Sequence, residues 1–237
     1  MLKICFQESC RLKTDWDSEL SYSIQKRLAE WVKQAKLVGK IEIDRYCLGN
    51  DVLSTDIVGF SDGSMLGYGA SIYLRSILHN GEVQTKLLVG KTRVAPIETT
   101  SIPRIELLGC LILARLTKNV VEALKGDVKI GQVLLFSDSA IALWWIHSGA
   151  VEYKQWVNTR VGEIRNLFPG DVWNYVDTKN NPSDVASRGC GPQDLGSLWF
   201  EGPNFLKERD KTKWPKLANF EKTEIEAKNP TSIENCT

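Results

Sequence analysis

The 237 residues include 43% hydrophobic and 25% charged side chains, a balance typical of globular proteins that excludes a disordered or fibrous chain. This length is enough for one sizeable domain with flanking pieces, or for two small domains. The formal net charge of +1 gives no overall basic field, so contact with a phosphate backbone would need local clusters of positive charge, metal ions or another domain.

Cysteine and histidine usage gives no sign of a structural metal site. The six cysteines and two histidines are scattered, and no two cysteines have the CxxC spacing of a zinc site. The first ten residues contain no long apolar run, and no stretch approaches the ~20 apolar residues of a membrane span. We therefore expect free thiols, a cytoplasmic or nuclear location, and no membrane partner.

The first fifty residues are charged and helical in pattern. Apolar side chains recur at helical spacing from Leu20 to Ala35. Asp17 or Ser18 can cap the start of this helix, and Gly39 can end it. A helix with one apolar stripe forms no core alone, so we expect it to pack on another part of the protein.

From Ile57 onward the pattern predicts strands at 57–62, 67–74, 83–94, 132–136 and 172–176, and helices at 103–124, 139–146, 153–167 and 182–187. Three consecutive strands indicate an antiparallel meander, and the later alternation indicates parallel strands with right-handed crossovers. The sequence thus predicts an α/β fold over residues 53–206, a mixed five-stranded sheet with helices on both faces. Residues 207–237 are poor in apolar side chains and are predicted to form a disordered tail.

Two aspartates stand where apolar strands end, Asp62 in the run FSDGS (60–64) and Asp138 in the run FSDSA (136–140). Either one alone can simply cap a turn or a helix. If the two strands are neighbours, the carboxylates lie side by side, and both ionise at neutral pH only when cations lie between them. No Lys or Arg is adjacent to either aspartate in sequence, so hard divalent cations are the natural alternative.

Two further acids lie in the first turns of predicted helices. Glu106 belongs to the run IPRIELL (102–108), and Asp184 to the run NPSDVASRG (181–189). Each can be a solvated acid that the helix dipole favours. Glu106, however, shares its helix face with Cys110, and an acid on a buried face favours a metal site.

In order along the chain, Asp62, Glu106, Asp138 and Asp184 resemble the four acids of the ribonuclease H superfamily. Further runs, such as YGA (68–70), KTRVAP (91–96) and NPSDVASRG (181–189), resemble the ribonuclease H region of BEL/Pao-type retrotransposon polyproteins. The resemblance covers about Leu2 to Leu206 and implies a polyprotein fragment. It implies that residues 1–52 are the end of the reverse transcriptase connection, with the reverse transcriptase and integrase domains as partners.

The resemblance also implies an endonuclease that cuts the RNA strand of RNA–DNA hybrids with two Mg²⁺ ions, for which Mn²⁺ can substitute. All four acids would be catalytic metal ligands. Asp62 and Asp138 would bridge ions about 4 Å apart, with Asp184 on the side of the attacking water and Glu106 on the side of the leaving group. The predicted substrate-binding residues are Gly63, Ser64, Lys91, Arg93, Ser139, Arg160, Asn181 and Arg188.

The resemblance is incomplete, and two other functions stay open. A histidine found in the superfamily before the last acid is absent from 178–183, so proton transfer there would depend on water. Pao-type regions have also been linked to aspartic peptidases, which pair two Asp-Thr/Ser-Gly loops. Here 62–64 reads DGS and 138–140 reads DSA. The remaining alternative is an inactive nucleic-acid-binding or scaffold fragment.

Overall fold

The central feature is a mixed sheet. The computed structural model describes residues 2–44, 46–48, 51–97, 100–149, 151–216 and 223–228. Its strands in those residues are β1 (Val52–Gly63), β2 (Gly67–Leu78), β3 (Val83–Val94), β4 (Ile130–Ser137) and β5 (Trp173–Tyr175). The order is β3-β2-β1-β4-β5; β1, β2 and β3 pair antiparallel, whereas β4 is parallel to β1 and to β5. The predicted mixed five-stranded sheet, with three antiparallel strands followed by parallel ones, is confirmed.

Seven α-helices accompany this sheet within the described residues. They are α1 (Leu2–Arg11), α2 (Tyr22–Ala35), α3 (Ile102–Leu124), α4 (Ala140–His147), α5 (Gln155–Leu167), α6 (Asp184–Arg188) and α7 (Ser197–Glu201). Pro103 lies in the first turn of α3, where its missing N–H leaves no hydrogen bond unmade. Across the described ranges, none of the helices has the length and apolar character needed to cross a bilayer.

The first two strands are longer than the sequence pattern predicted. β1 begins at Val52 rather than at Ile57, and β2 continues to Leu78. The polar residues Thr55 and Asp56 interrupt the apolar pattern of β1, yet both are buried. The Arg75 guanidinium, opposite Asp56 in the ladder, donates to its Oδ2 at 3.1 Å. The ion pair between Arg75 and Asp56 therefore stabilises a part of β1 and β2 that the hydrophobic periodicity of the sequence does not predict.

The helices α3, α4 and α5 cover one face of the sheet and form the main core with it. Alternate residues of β1 and β2 point to this face, among them Ile57 and Ile72, and they meet Leu113 of α3 and the fully buried Trp145 of α4. The position of α3 matters for function, because its N-terminal half lies against the end of β1, where Asp62 stands.

The chain after β5 covers the opposite face. α6 packs on β2. The segment after α6 covers the strand residues that point away from α3, and together they form a second core that includes Phe60, Tyr73, Phe136 and Leu206. The buried Arg75 fastens this segment, since its Nε donates to the Leu206 carbonyl at 2.7 Å. Helices thus lie on both faces, as predicted.

The start of the predicted tail, 207–237, packs against the second core, and the prediction of disorder for the tail stays a prediction. Trp214 is 6% exposed and packs on Phe136, and Arg75 donates to the Glu208 carbonyl at 2.8 Å. The Trp214 ring and the Glu208 carbonyl thus hold this segment against the second core, although its low apolar content did not predict such contacts. Residues 223–228 also contact the core, whereas 217–222 and 229–237 lie outside the described residues.

The N-terminal helices pack on each other through Cys5 and Ile24, which are both 1% exposed. The predicted helix at Leu20 to Ala35 is α2, which follows Ser21 rather than Asp17 or Ser18. Gln7 of α1 donates to the Ala95 carbonyl at 2.7 Å, just after β3. This hydrogen bond ties the helical pair to the sheet; the boundary at residue 52 stays a prediction.

Candidate active site

Asp62 and Asp138 lie side by side at the ends of the neighbouring parallel strands β1 and β4. The last paired residues of β1 and β4 are Ser61 and Ser137, so each aspartate is the next residue along its strand. Asp62 is 5% exposed. The Oδ1 atom of Asp138 is buried and has no hydrogen-bond partner among the described residues. A buried carboxylate oxygen without a partner is costly and points to a missing positive ligand.

Glu106 reaches the same place because α3 lies in backbone contact with the end of β1. A Cβ atom added at Gly63 would stand 2.6 Å from the Glu106 backbone nitrogen, and one added at Gly109 would stand 2.7 Å from the Asp62 carbonyl oxygen. Only glycine permits this approach. The Ser139 hydroxyl, which also caps α4, donates to Glu106 Oε2 at 2.6 Å and directs the carboxylate toward Asp138.

Asp184 approaches from the opposite face as the first residue of α6. Its Oδ1 accepts a hydrogen bond of 2.5 Å from Arg188 Nε, one helical turn later. The hydroxyl of Ser187 donates to Asp62 Oδ2. α6 thus contributes one acid and one hydroxyl. The residue before it, Ser183, holds the helix against β1, because its Oγ donates to the Phe60 carbonyl at 2.8 Å.

The pKa values of Asp62 and Glu106 are raised in part by the charges of neighbouring carboxylates. Burial is the largest cause that raises the pKa of Asp62 to about 6, and the charges of Asp138 and Asp184 raise it further. The hydrogen bond from Ser187 acts in the opposite direction. The pKa of Glu106 is raised to about 7, first by burial and, against the hydrogen bond from Ser139, by Asp138 and Asp62. The structure therefore brings all four predicted acids together.

Asp62, Glu106 and Asp138 line a cleft of about 380 Å³, whereas Asp184 stands beside it and is paired with Arg188, which does line the cleft. The three carboxylates of the cleft are the oxygen donors that a hard divalent cation prefers, and within the described residues Asp138 Oδ1 has no hydrogen-bond partner. In the part of the chain that the structure describes, no three acidic, histidine or cysteine side chains are arranged to hold a single metal ion. Three of the acids instead face neighbours inside the chain: Ser187 for Asp62, Ser139 for Glu106 and Arg188 for Asp184.

The sequence supplies the observation that decides the family. The model of the Pao retrotransposon-like RNaseH-like domain matches residues 1–139. This chain belongs to that family. The matched part of the Pao-type domain includes α1 and α2 as well as Asp62, Glu106 and Asp138. Asp184 lies beyond the matched residues, and its assignment depends on the geometry described above.

Solved structures similar to the Pao-type domain include ribonucleases H. The N-terminal RNase H domain of a Mycobacterium tuberculosis protein is 12% identical, with 57% of this chain and 92% of that chain covered and a TM-score of 0.40. LC11-RNase H1, solved in complex with an RNA/DNA hybrid, is 11% identical, with 60% and 100% covered and a TM-score of 0.39. RNase H1 from Halobacterium salinarum is 12% identical, with 57% and 95% covered and a TM-score of 0.36. No curated protein matches the chain.

Three of the predicted substrate-binding residues line the carboxylate cleft of the Pao-type domain: Gly63, Ser64 and Arg188. Two others have internal partners. Ser139 contacts Glu106, as described above. Asn181 is 1% exposed, and its amide donates to the Ser61 carbonyl at 3.0 Å, so it holds α6 against β1.

The other three predicted contacts, Lys91, Arg93 and Arg160, line a second cleft of about 380 Å³ between β3, α3 and α5. Arg115, which the sequence reasoning did not select, lies there too and is held by Glu163 at 2.6 and 2.8 Å. Ser187 was also missed as a partner of Asp62, although it lies in the run NPSDVASRG. Two tryptophans of this region differ in exposure to ligands: Trp145 is fully buried, whereas Trp156 lies beneath the guanidinium groups of Arg104 and Arg160.

Replacement of Glu106 by Gln should stabilise the metal-free chain at pH 8 but not at pH 5. Because the folded-state pKa is raised to about 7 from 4.5, the wild type loses stability as the pH rises through that interval, and Gln has no charge to bury. We expect a gain on the order of 1–2 kcal/mol at pH 8, measured by urea unfolding in EDTA. Glu122→Gln, at an exposed position of the same helix, should show no such pH-dependent gain. Equal effects of the two substitutions would contradict this account.

Proposed function

We propose that this Pao-type domain is a metal-dependent endonuclease that cuts the RNA strand of RNA–DNA hybrids. One observation carries the proposal: Asp62, Glu106 and Asp138 line one cleft, the charge of Asp184 acts on Asp62 from beside it, and a buried Asp138 oxygen lacks a partner among the described residues. Repelling carboxylates whose pKa values are raised are an unfavourable arrangement unless cations complete it. This convergence supports a cation site better than it supports a structural role.

Two Mg²⁺ ions, or Mn²⁺ in their place, would supply water activation and stabilisation of the leaving oxygen. Asp62 and Asp138, which follow neighbouring strands, would be the central ligands of these ions, and Asp184 and Glu106 would complete the set. The hydroxyls of Ser139 and Ser187 would keep Glu106 and Asp62 oriented toward the site. Arg188, which pairs with Asp184 and lines the cleft, would be a candidate contact for a phosphate.

The second cleft supports nucleic acid as the substrate. Lys91, Arg93, Arg115 and Arg160 gather there on a protein whose overall charge is only +1, which is the local clustering that a phosphate backbone requires. α3 lines both clefts, so a duplex held in the basic cleft can reach the acids. Backbone groups of Gly63 and Ser64 are candidates for contacts to the 2′-hydroxyls that distinguish RNA from DNA. Reverse transcriptase and integrase domains of a parent polyprotein are the proposed protein partners.

An assay with the wild-type chain and a series of labelled substrates tests the proposal. With Mg²⁺, the RNA strand of an RNA–DNA hybrid should be cut internally, while DNA duplex stays intact and EDTA stops the reaction. Binding of the hybrid without cleavage in either metal would reject the nuclease in favour of a scaffold. Hydrolysis of peptides, blocked by a transition-state inhibitor, alongside an intact hybrid would reject it in favour of an aspartic peptidase.

A further inference from the structure

A short C-terminal segment, Thr223–Lys228, lies on the face of α4 and α5. The indole of Trp145 donates to the Ile225 carbonyl at 3.1 Å, and the backbone N–H of Lys154 donates to the Glu226 carbonyl at 2.8 Å. Tyr153 and Ala227 form an isolated antiparallel bridge. These contacts place one side chain of the segment, that of Glu226, beside the N-terminal turn of α3.

The Glu226 carboxylate forms a two-pronged ion pair with Arg104. Both distances, from Arg104 Nε and from its terminal nitrogen, are 2.9 Å, and the ammonium of Lys154 lies 3.6 Å away. The Glu226 side chain is only 12% exposed, and the arginine hydrogen bonds hold the pKa of its carboxyl below the usual value. The backbone of Glu226 has a φ angle of +66°, a conformation that residues other than glycine rarely adopt. The fold therefore places this carboxylate on Arg104 despite an unfavourable backbone conformation.

The surface beneath Glu226 has the composition of a phosphate-binding site. The guanidinium of Arg104 lies 5.0 Å from the centre of the Trp156 ring, and that of Arg160 lies 3.7 Å from it. Arg160 Nε is buried without a hydrogen-bond partner among the described residues. Forked contact with an anionic oxygen pair is the mode by which arginine binds phosphate as well as carboxylate, and aromatic rings beside arginine are typical of nucleic-acid surfaces.

We propose that Arg104, Lys154, Trp156 and Arg160 form a binding surface for a phosphodiester backbone, and that Glu226 occupies it as an internal competitor. A phosphate group would replace the carboxylate on Arg104 and supply an acceptor for Arg160 Nε. Arg104 and Glu106 lie two residues apart in α3, so their side chains leave different sides of the helix and this surface is separate from the carboxylate cleft. The inference rests on the proposed function in taking a nucleic acid as the ligand; its test does not depend on cleavage.

The test measures binding of a labelled RNA–DNA hybrid to the full chain by fluorescence anisotropy in EDTA, where no metal-dependent cleavage occurs. Glu226→Gln keeps the shape of the side chain but removes its charge. It should bind the hybrid roughly three- to tenfold more tightly than the wild type, and its plot of log K against log salt should steepen by about 1. Glu152→Gln makes the same change of net charge at an exposed position of the same face and should change neither quantity appreciably.

A second substitution tests whether the gain in affinity for the hybrid arises at Arg104. In an Arg104→Gln background, Glu226→Gln should give little further gain, because the competitor no longer has its main partner. Equal affinity of Glu226→Gln and wild type, or an equal gain from Glu152→Gln, would overturn the inference. Circular dichroism and urea unfolding would verify that each variant is folded. Tighter binding by Glu226→Gln in EDTA, together with a hybrid that the wild type leaves uncut in Mg²⁺ and in Mn²⁺, would reject the proposed nuclease while leaving this surface supported.

Discussion

Asp138→Asn is expected to lower the rate of Mg²⁺-dependent RNA cleavage about 10³-fold, the equivalent of roughly 4 kcal/mol in activation free energy. Asp138 is adjacent to Asp62 and its charge acts on Glu106 as well, so it occupies the middle of the carboxylate group. Asparagine is nearly the same size but is a weaker ligand without charge. The loss should therefore appear in catalysis and not in folding, since removal of a repelling charge relieves the remaining acids.

Single-turnover cleavage of a labelled hybrid at several Mg²⁺ concentrations measures this effect. Asp127→Asn, in the exposed connection after α3, makes the same chemical change away from the cleft and should cleave at the wild-type rate. Urea unfolding in EDTA should place Asp138→Asn at or above wild-type stability. A variant that retains full activity at every Mg²⁺ concentration would show that cleavage, if observed, takes place elsewhere on the protein.

The order of the strands and helices could be predicted because each carries its own local signal. β3 begins and ends where its apolar pattern does, and α3 begins at the Pro-containing turn. The early half of β1 could not be predicted in this way, because Thr55 and Asp56 are polar and their burial depends on partners across the ladder. Order around Trp214 likewise depends on Arg75, which lies far away in the sequence.

The same distinction holds at the candidate site. The acids stand out in the sequence because a carboxylate at the end of an apolar strand needs an explanation, and their order gives the family resemblance. Their hydrogen-bond partners do not stand out. Ser187 and Asp62 are 125 positions apart, and a serine in a short helix gives no sign of the carboxylate that it will meet. Glu226 on Arg104 is a comparable case, with 122 positions between the two residues.

Close backbone contact between α3 and β1 leads to the last prediction, which concerns Gly109. A Cβ at this position would stand 2.7 Å from the Asp62 carbonyl oxygen and 3.2 Å from its carbonyl carbon, and neither atom can move without shifting the strand. Gly109→Ala should therefore destabilise the fold by about 2–3 kcal/mol, even though alanine favours the helix. The separation of Glu106 from Asp62 should also lower hybrid cleavage more than the loss of stability alone explains.

Gly162→Ala provides the matched control because Gly162 lies inside α5 and has no atom within 4 Å of an added Cβ. There the same substitution should stabilise the protein by roughly 0.5–1 kcal/mol, the ordinary gain from alanine in a helix. Urea unfolding of both variants in EDTA measures the contrast in sign. If Gly109→Ala were as stable as Gly162→Ala and retained activity, the backbone contact would not be what holds Glu106 beside Asp62. The assignment of α3 as the element that positions that acid would then fail.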